Sequence, residues 1–419
     1  MNSTLKNSLK IVLFSVFTFP FISCSSNNKI PVQTELKLEL FNGKTVSLCS
    51  EQYITYLNAK KENDIIESLV YYGNGSADLS NVVIRWQYYQ GFTFKTSIAD
   101  NKKLDNAIVI ESNIYDDTCR PGFLMPGKTY YYQVEAYDAS GNFLEKSIID
   151  YFKTSNKYSV RPITLDGTRN VRDLGGYKTD CGKRIKYGLI YRGACTNDRS
   201  GYYLSKTALK TANEVLGING EIDLRHSGDD TNCYGVHQEK NYFDENKPYL
   251  KASITQACYI FPSFKQTDPM VRNYDTRTAS SLRNIFSFLA DESNYPVYFH
   301  CNAGADRTGT LAYLISGYLG VKYDDLVKDF ELTSLSPFGT RLRSNYTMDS
   351  SYQLYFDDTG VYEDDNDNYI AFGKMHNMMM EIYGKGSNKV SDAIYNYLTS
   401  SEIGVKAEDL AKLKSIMLG

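Results

Sequence analysis

The sequence predicts a multidomain chain, an N-terminal β-sandwich followed by an α/β domain. Three observations carry that fold class. The chain has 419 residues, too many for one ordinary core when a domain takes roughly 150. Its first part reads as short strands of period two, punctuated by turn residues. Its second part reads as strands alternating with helical patterns. Hydrophobic residues at 42% and charged residues at 23% lie in the globular range, which excludes a disordered, collagen-like or polytopic membrane chain. With 46 basic and 49 acidic side chains the net charge is −3. No broad basic surface is therefore expected for nucleic acid, and anion binding has to come from local clusters. Thirty-six Tyr and 20 Phe against a single Trp point to aromatic-rich sheets, while eight Cys, thinly spread, do not make a small disulfide scaffold.

At the N-terminus, Lys6 and Lys10 precede the apolar run IVLFSVFTFPFI at residues 11–22, and Cys24 follows in FISC. A basic start and an apolar run shorter than the roughly 20 residues of a membrane-spanning helix read as a signal peptide. A small residue directly before Cys resembles the bacterial lipoprotein cleavage box. Residues 1–23 are thus expected to be removed, leaving Cys24 as a lipidated end on the bacterial cell envelope, at the periplasmic face or the cell surface. A cleaved secretory signal and an uncleaved anchor are the other readings. Residues 24–29 form a short polar tether.

Residues 30–155 carry the strand pattern. Val82, Ile84 and Trp86 alternate with Val83, Arg85 and Gln87, and Tyr130, Tyr132, Val134 and Ala136 alternate with Tyr131, Gln133, Glu135 and Tyr137. Asn42-Gly43, Gly73-Asn74-Gly75, Pro126-Gly127 and Ser140-Gly141 punctuate these runs, the pattern of a sandwich. Residues 124–142 resemble the last hairpin of a fibronectin type III domain, with Tyr130 at the tyrosine corner. Trp86 is expected in the core. Cys49 and Cys119 could pair in an oxidising compartment or stay apart, and their spacing does not decide. Nothing in this stretch names a partner for the sandwich.

After a polar connector ending near Pro162, residues 156–419 change grammar. A strand is expected around Glu221–Leu224 and another at 295–300, the latter following a helical stretch at 280–292. From Thr308 to Gly320 the apolar residues Leu311, Leu314, Ile315, Tyr318 and Leu319 keep helical spacing. Strand, loop and helix in that order make an α/β anion site.

The loop between them is His300-Cys301-Asn302-Ala303-Gly304-Ala305-Asp306-Arg307-Thr308-Gly309. Cys301 alone among the cysteines has Arg six positions on. Backbone N–H groups of Asn302, Ala303, Gly304 and Ala305 can form a nest for the nonbridging oxygens of a phosphoryl group at a helix N-terminus. Gly304 permits the positive φ that a tight wrap needs. Arg307 offers a planar fork to two phosphate oxygens, and together with the helix dipole it favours a nucleophilic thiolate at Cys301.

HCNAGADRTG resembles the signature loop of the cysteine-dependent protein tyrosine phosphatases. The surrounding sequence is similar to a bacterial branch that includes secreted mycobacterial and listerial enzymes. That branch also carries N-x-RDLGG, here from Asn170 to Gly176, then GKRIKYGLIYRG at 182–193, IDLR at 222–225 and DFELTSLS at 329–336. The resemblance spans about residues 160–419. It implies a two-step reaction in which Cys301 attacks phosphorus, Arg307 and the loop amides hold the equatorial oxygens, and a phosphocysteine is hydrolysed. Thr308 is implied to hydrogen-bond the departing thiolate. Asp306 is the first candidate for general acid and Asp223 the second. The branch commonly has Lys where this chain has Ala305. Loss of that charge favours phosphotyrosine proteins or a small phosphomonoester as substrate over phosphoinositides or inositol polyphosphates. A non-catalytic surface binding protein is the remaining alternative.

Other residues carry lesser expectations. Arg172, Asp173, Arg192 and Arg225 either line the pocket or fix loops through Arg–Asp pairs. His300 is expected to tune the loop through hydrogen bonds. His226, His237 and His376 lie far apart, so no metal site is expected. The acidic stretch 357–368 lacks the EF-hand Gly and terminal Glu and reads as a solvated loop. Met378, Met379 and Met380 read as core filler. Neither a P-loop nor a dinucleotide Gly motif is present, so no cofactor is expected.

Overall fold

The computed structural model describes residues 36–70, 82–112, 114–196, 204–226, 240–264, 276–357 and 372–419. Cys24, His237 and most of the acidic stretch 357–368 lie outside them. In chain order the first part contains β1 (Thr45–Val46), α1 (Glu51–Asn58), α2 (Glu62–Val70), β2 (Ile84–Arg85), β3 (Thr93–Ala99), β4 (Ile108–Ser112) and β5 (Thr118–Cys119). There follow β6 (Thr129–Tyr137), β7 (Phe143–Lys146) and β8 (Asp150–Thr154). Among the described residues these form one sheet in the order β1-β8-β6-β3-β4, with β7 also on β6, and a separate ribbon of β2 and β5. Strand β6 buries Tyr130, Tyr132, Val134 and Ala136 and leaves the intervening residues partly exposed, which is the alternation of a sheet with one covered face. Trp86 is buried with its ring 5.0 Å from that of Phe94. The Tyr130 hydroxyl accepts a hydrogen bond from the Met125 amide at 2.9 Å, closing the turn before β6.

The first part also departs from an all-strand reading, because residues 51–70 are helical. Ser50 caps α1, its side chain accepting from the Tyr53 amide, and Glu51 and Glu62 stand in first turns, where acidic groups favour the helix dipole. The buried faces of these helices, Tyr53, Tyr56, Ile65, Ile66 and Leu69, join the apolar cluster of the second part. Cys49 belongs to that cluster and Cys119 to the other, and both thiols are free. The open question about the pair is thereby answered among the described residues.

The second part begins with β9 (Arg161–Pro162), β10 (Arg172–Asp173), β11 (Ile190–Gly193), α3 (Lys206–Lys210), β12 (Gly220–Asp223), β13 (Tyr249–Lys251) and α4 (Thr276–Leu289). It continues with β14 (Val297–His300), α5 (Asp306–Tyr318), α6 (Tyr323–Glu331), β15 (Asn345–Met348) and β16 (Leu354–Asp357), then α7 (Phe372–Tyr383), α8 (Val390–Leu398) and α9 (Ala407–Leu418). The sheet order is β13-β12-β14-β11-β10-β9. Strands β13, β12, β14 and β11 run parallel, with β10 and β9 antiparallel at one edge. Every residue of β11, β12 and β14 is buried, as expected of parallel strands covered on both faces. Helix α5 is buried almost all round, packed by α6, α8, β11 and β14. Cys301 therefore stands at the carboxyl end of a central parallel strand, where open α/β sheets place their ligands. Met379 is fully buried, with Met378 and Met380 packed beside the same core.

Candidate active site

The loop between β14 and α5 holds its shape through its carbonyls. The Cys301 carbonyl lies 3.2 Å from His300 Nδ1, and that of Asn302 accepts from the Cys195 amide at 3.1 Å. The carbonyls of Ala303 and Gly304 both accept from Asn170 Nδ2 at 3.1 Å, and Arg192 Nη2 adds a bond of 2.8 Å to the second. A trans peptide points its N–H opposite to its C=O, so tying these carbonyls outward turns the following amides inward. Those of Ala303, Gly304 and Ala305 meet no acceptor among the described residues, and they form a concave ring of donors suited to an oxyanion. Gly304 has φ +65°, and a Cβ there would meet the Gly193 carbonyl carbon at 2.3 Å. Only glycine fits that wrap.

Beneath the loop lies a buried polar frame. Arg172 Nε donates to Asp329 Oδ1 at 2.9 Å and its Nη1 to Asn170 Oδ1 at 2.6 Å, while Arg192 Nη1 donates to Asp329 Oδ2 at 2.5 Å. Burial opposes ionisation of Asp329, but Arg172 and Arg192 outweigh it and hold the carboxyl below its usual range. Burial, with the like charge of Arg172 next, lowers Arg192 to about 10. Asp173 holds Arg161 at 2.7 Å and accepts from the Gly175 and Gly188 amides. The structure thus places Arg172, Asp173 and Arg192 in the frame under the nest.

The chemical groups sit above. Cys301 is 3% exposed and Thr308 fully buried. The Thr308 hydroxyl has no hydrogen-bond partner among the described residues. An orphaned buried hydroxyl is costly, and one at this turn is available to a thiolate. Arg307 extends from the first turn of α5, its Nη1 3.5 Å from the Leu224 carbonyl. Asp306, the first residue of α5 and a quarter exposed, pairs with Arg341 through Nε–Oδ1 at 2.7 Å and Nη2–Oδ2 at 3.2 Å.

Asp223 and Arg225 pair with each other. Arg225 Nε and Nη2 reach the two Asp223 oxygens at 2.9 and 2.8 Å, and both side chains are fully buried. Lys251 lies 3.3 Å from the same carboxylate and the Tyr249 hydroxyl 3.2 Å. Burial works against the Asp223 charge, yet His300, Arg225 and Lys251 together hold its carboxyl far below the usual range. His300 is locked by Glu221 at 2.8 Å through Nε2. Sequence reasoning missed Glu221, Asn170 and Arg341. Asn170 opens the N-x-RDLGG run and was legible in principle as the amide that a tight loop needs, whereas Arg341 stands in no motif.

Known proteins echo this part of the chain. The model of the "Tyrosine phosphatase family" matches residues 163–419. A Cupriavidus necator protein provisionally named a tyrosine-protein phosphatase is 25% identical over 175 residues, 40% of this chain and 61% of its own length. A Nostoc commune tyrosine-protein phosphatase is 25% identical over 127 residues, 29% of this chain and 42% of the relative. The chain thus spans less than two thirds of either relative. Among solved structures, the core catalytic domain of the PP-IP phosphatase SIW14 from S. cerevisiae aligns with 42% of this chain and 81% of that one, at 13% identity and a TM-score of 0.26.

Proposed function

The chain belongs to the tyrosine phosphatase family, and we propose that it hydrolyses phosphomonoesters through a phosphocysteine on Cys301, first of all on phosphotyrosine in proteins or peptides. The observation that carries this reading is the outward tethering of the loop carbonyls, which leaves inward amides above a nearly buried thiol. In the first step the Cys301 thiolate attacks phosphorus. The ring of amides and the Arg307 fork stabilise charge on the equatorial oxygens, and Asp306 protonates the leaving oxygen. In the second, water attacks the phosphocysteine, Thr308 hydrogen-bonds the departing sulfur and Asp306 receives the proton. Asp223 is a poor second candidate for the acid, being fully buried and held ionised by its neighbours.

Replacing Cys301 by Ser should abolish p-nitrophenyl phosphate hydrolysis, and an acid-stable adduct of one phosphoryl group on the wild-type protein should vanish with it. Wild-type protein without hydrolysis would return the chain to the surface-binding alternative. Ala305 contributes no charge to hold additional phosphates, so release from a phosphotyrosine peptide is expected to exceed release from inositol phosphates. Location is part of the proposal. Among the described residues no helix is long and apolar enough to cross a membrane, and a lipid on Cys24 would supply attachment. Incorporation of an alkyne fatty acid into cells expressing the full chain, lost in Cys24→Ala, checks it.

A further inference from the structure

We propose that Arg341 is the positioning residue of proton transfer, clamping the Asp306 carboxyl so that one lone pair on an oxygen faces the leaving group. This rests on the reading of Asp306 as the proton donor. The guanidinium meets both Asp306 oxygens, Nε–Oδ1 at 2.7 Å and Nη2–Oδ2 at 3.2 Å. Two parallel contacts fix the plane of a carboxyl as well as its place, and each oxygen keeps a second acceptor site. The fork is itself held from behind. Nη1 donates to the Phe338 carbonyl at 3.3 Å and the Thr340 carbonyl at 3.1 Å. The Arg341 amide donates to Ser334 Oγ at 2.8 Å, and that hydroxyl, fully buried, donates back to the Arg341 carbonyl at 2.7 Å. Arg341 is only 8% exposed. It is a rigid brace anchored on the turn after α6, aimed at the residue next to Arg307.

The first half-reaction forms the S–P bond while the P–O bond to the leaving group breaks. The electron pair passes to the leaving oxygen, which takes the proton from Asp306. The carboxylate so created remains on the Arg341 fork. When water later attacks phosphorus, the P–S pair returns to Cys301 and the proton of water goes back to Asp306. Arg341 thus serves the step in which charge appears on Asp306, and its effect should grow as the leaving group needs the proton more.

The test measures kcat/KM over aryl phosphates from p-nitrophenyl, which leaves without help, to phenyl, which does not. The proteins are the full chain and its variants D306N, R341Q, R341K and D306N/R341Q. R341Q is expected to lose roughly 10- to 100-fold on phenyl phosphate and only about two- to threefold on p-nitrophenyl phosphate. R341K, which keeps the charge without the fork, should lose less but with the same slope, and it carries the comparison if R341Q does not fold. The double variant should be no slower than D306N, because the two residues act as one unit. Equal losses across leaving groups, or a further loss in the D306N background, would overturn the role of Arg341. A flat D306N series would instead remove Asp306 as the donor, and the proposal with it.

Discussion

Asp223 and Asp306 both stand beside the signature loop, and their surroundings separate their jobs. Asp223 is closed in by Arg225, Lys251 and Tyr249, while Asp306 reaches a partly open rim. Breaking a buried ion pair leaves an uncompensated charge, which typically costs about 3–5 kcal/mol. Asp223→Asn is therefore expected to lower thermal stability at pH 7 without changing leaving-group dependence. The folded carboxyl titrates far below its unfolded value of about 3.9, so its stabilisation is complete above that value and lost as pH falls through the folded one. Melting curves should show a constant gap between wild type and Asp223→Asn from pH 8 to 5 that narrows below about pH 4. A gap that instead closes on going from pH 5 to 8 would mean that Asp223 is not held ionised. Cys301, Gly304 and Arg307 were legible because phosphoryl chemistry needs them at fixed spacing along one loop. Arg341 was not, since a partner 35 residues away leaves no local pattern.

At the scale of elements, β14, the loop and α5 do little without the strand edge and helix that brace them. Asn170, at φ +59°, sends one amide to two successive loop carbonyls, and Asp329 on α6 ties that same frame to β10 and β11. Asn170→Gly keeps the left-handed backbone available and removes only the side chain. Its expected result is a loss of roughly 10- to 100-fold in kcat/KM with weaker vanadate binding, because loop amides displaced by about an ångström no longer meet the oxyanion. Unchanged kinetics would show that the loop holds its own shape. The sequence made β12, β14, α4 and α5 readable through apolar runs and a period near 3.6, with boundaries within a few residues. It did not make α1 and α2 readable. Each is nine residues or fewer, and what commits them to helix is a cap together with apolar surface supplied by a distant part of the chain.

That distant supply bears on the whole molecule. Glu35–Gly419 form one compact unit, although the family match begins only at residue 163. Tyr53, Tyr56, Ile65, Ile66 and Leu69 are buried in the apolar cluster that also holds Leu311, Leu332 and Leu335. The Tyr56 hydroxyl donates at 2.6 Å to Glu331, whose buried carboxylate also accepts from Arg343. Glu331 ends α6, two residues beyond Asp329, so α1 presses on the helix that carries the loop's brace. A chain starting at residue 156 would expose these side chains' partners and leave Glu331 with Arg343 alone. At roughly 1.5–3 kcal/mol for each fully buried large apolar side chain, the loss approaches the whole stability of an ordinary domain. The fragment 156–419 is therefore expected to be aggregated or to melt far below a fragment starting at residue 36, with its hydrolysis of p-nitrophenyl phosphate reduced in parallel. A soluble fragment with the longer chain's melting temperature and kcat/KM would show that α1 and α2 merely rest on the catalytic half. Tyr56→Phe separates the two contributions, since it keeps the packing and removes the hydrogen bond. If the brace runs through Glu331, that variant should lose activity before it loses stability.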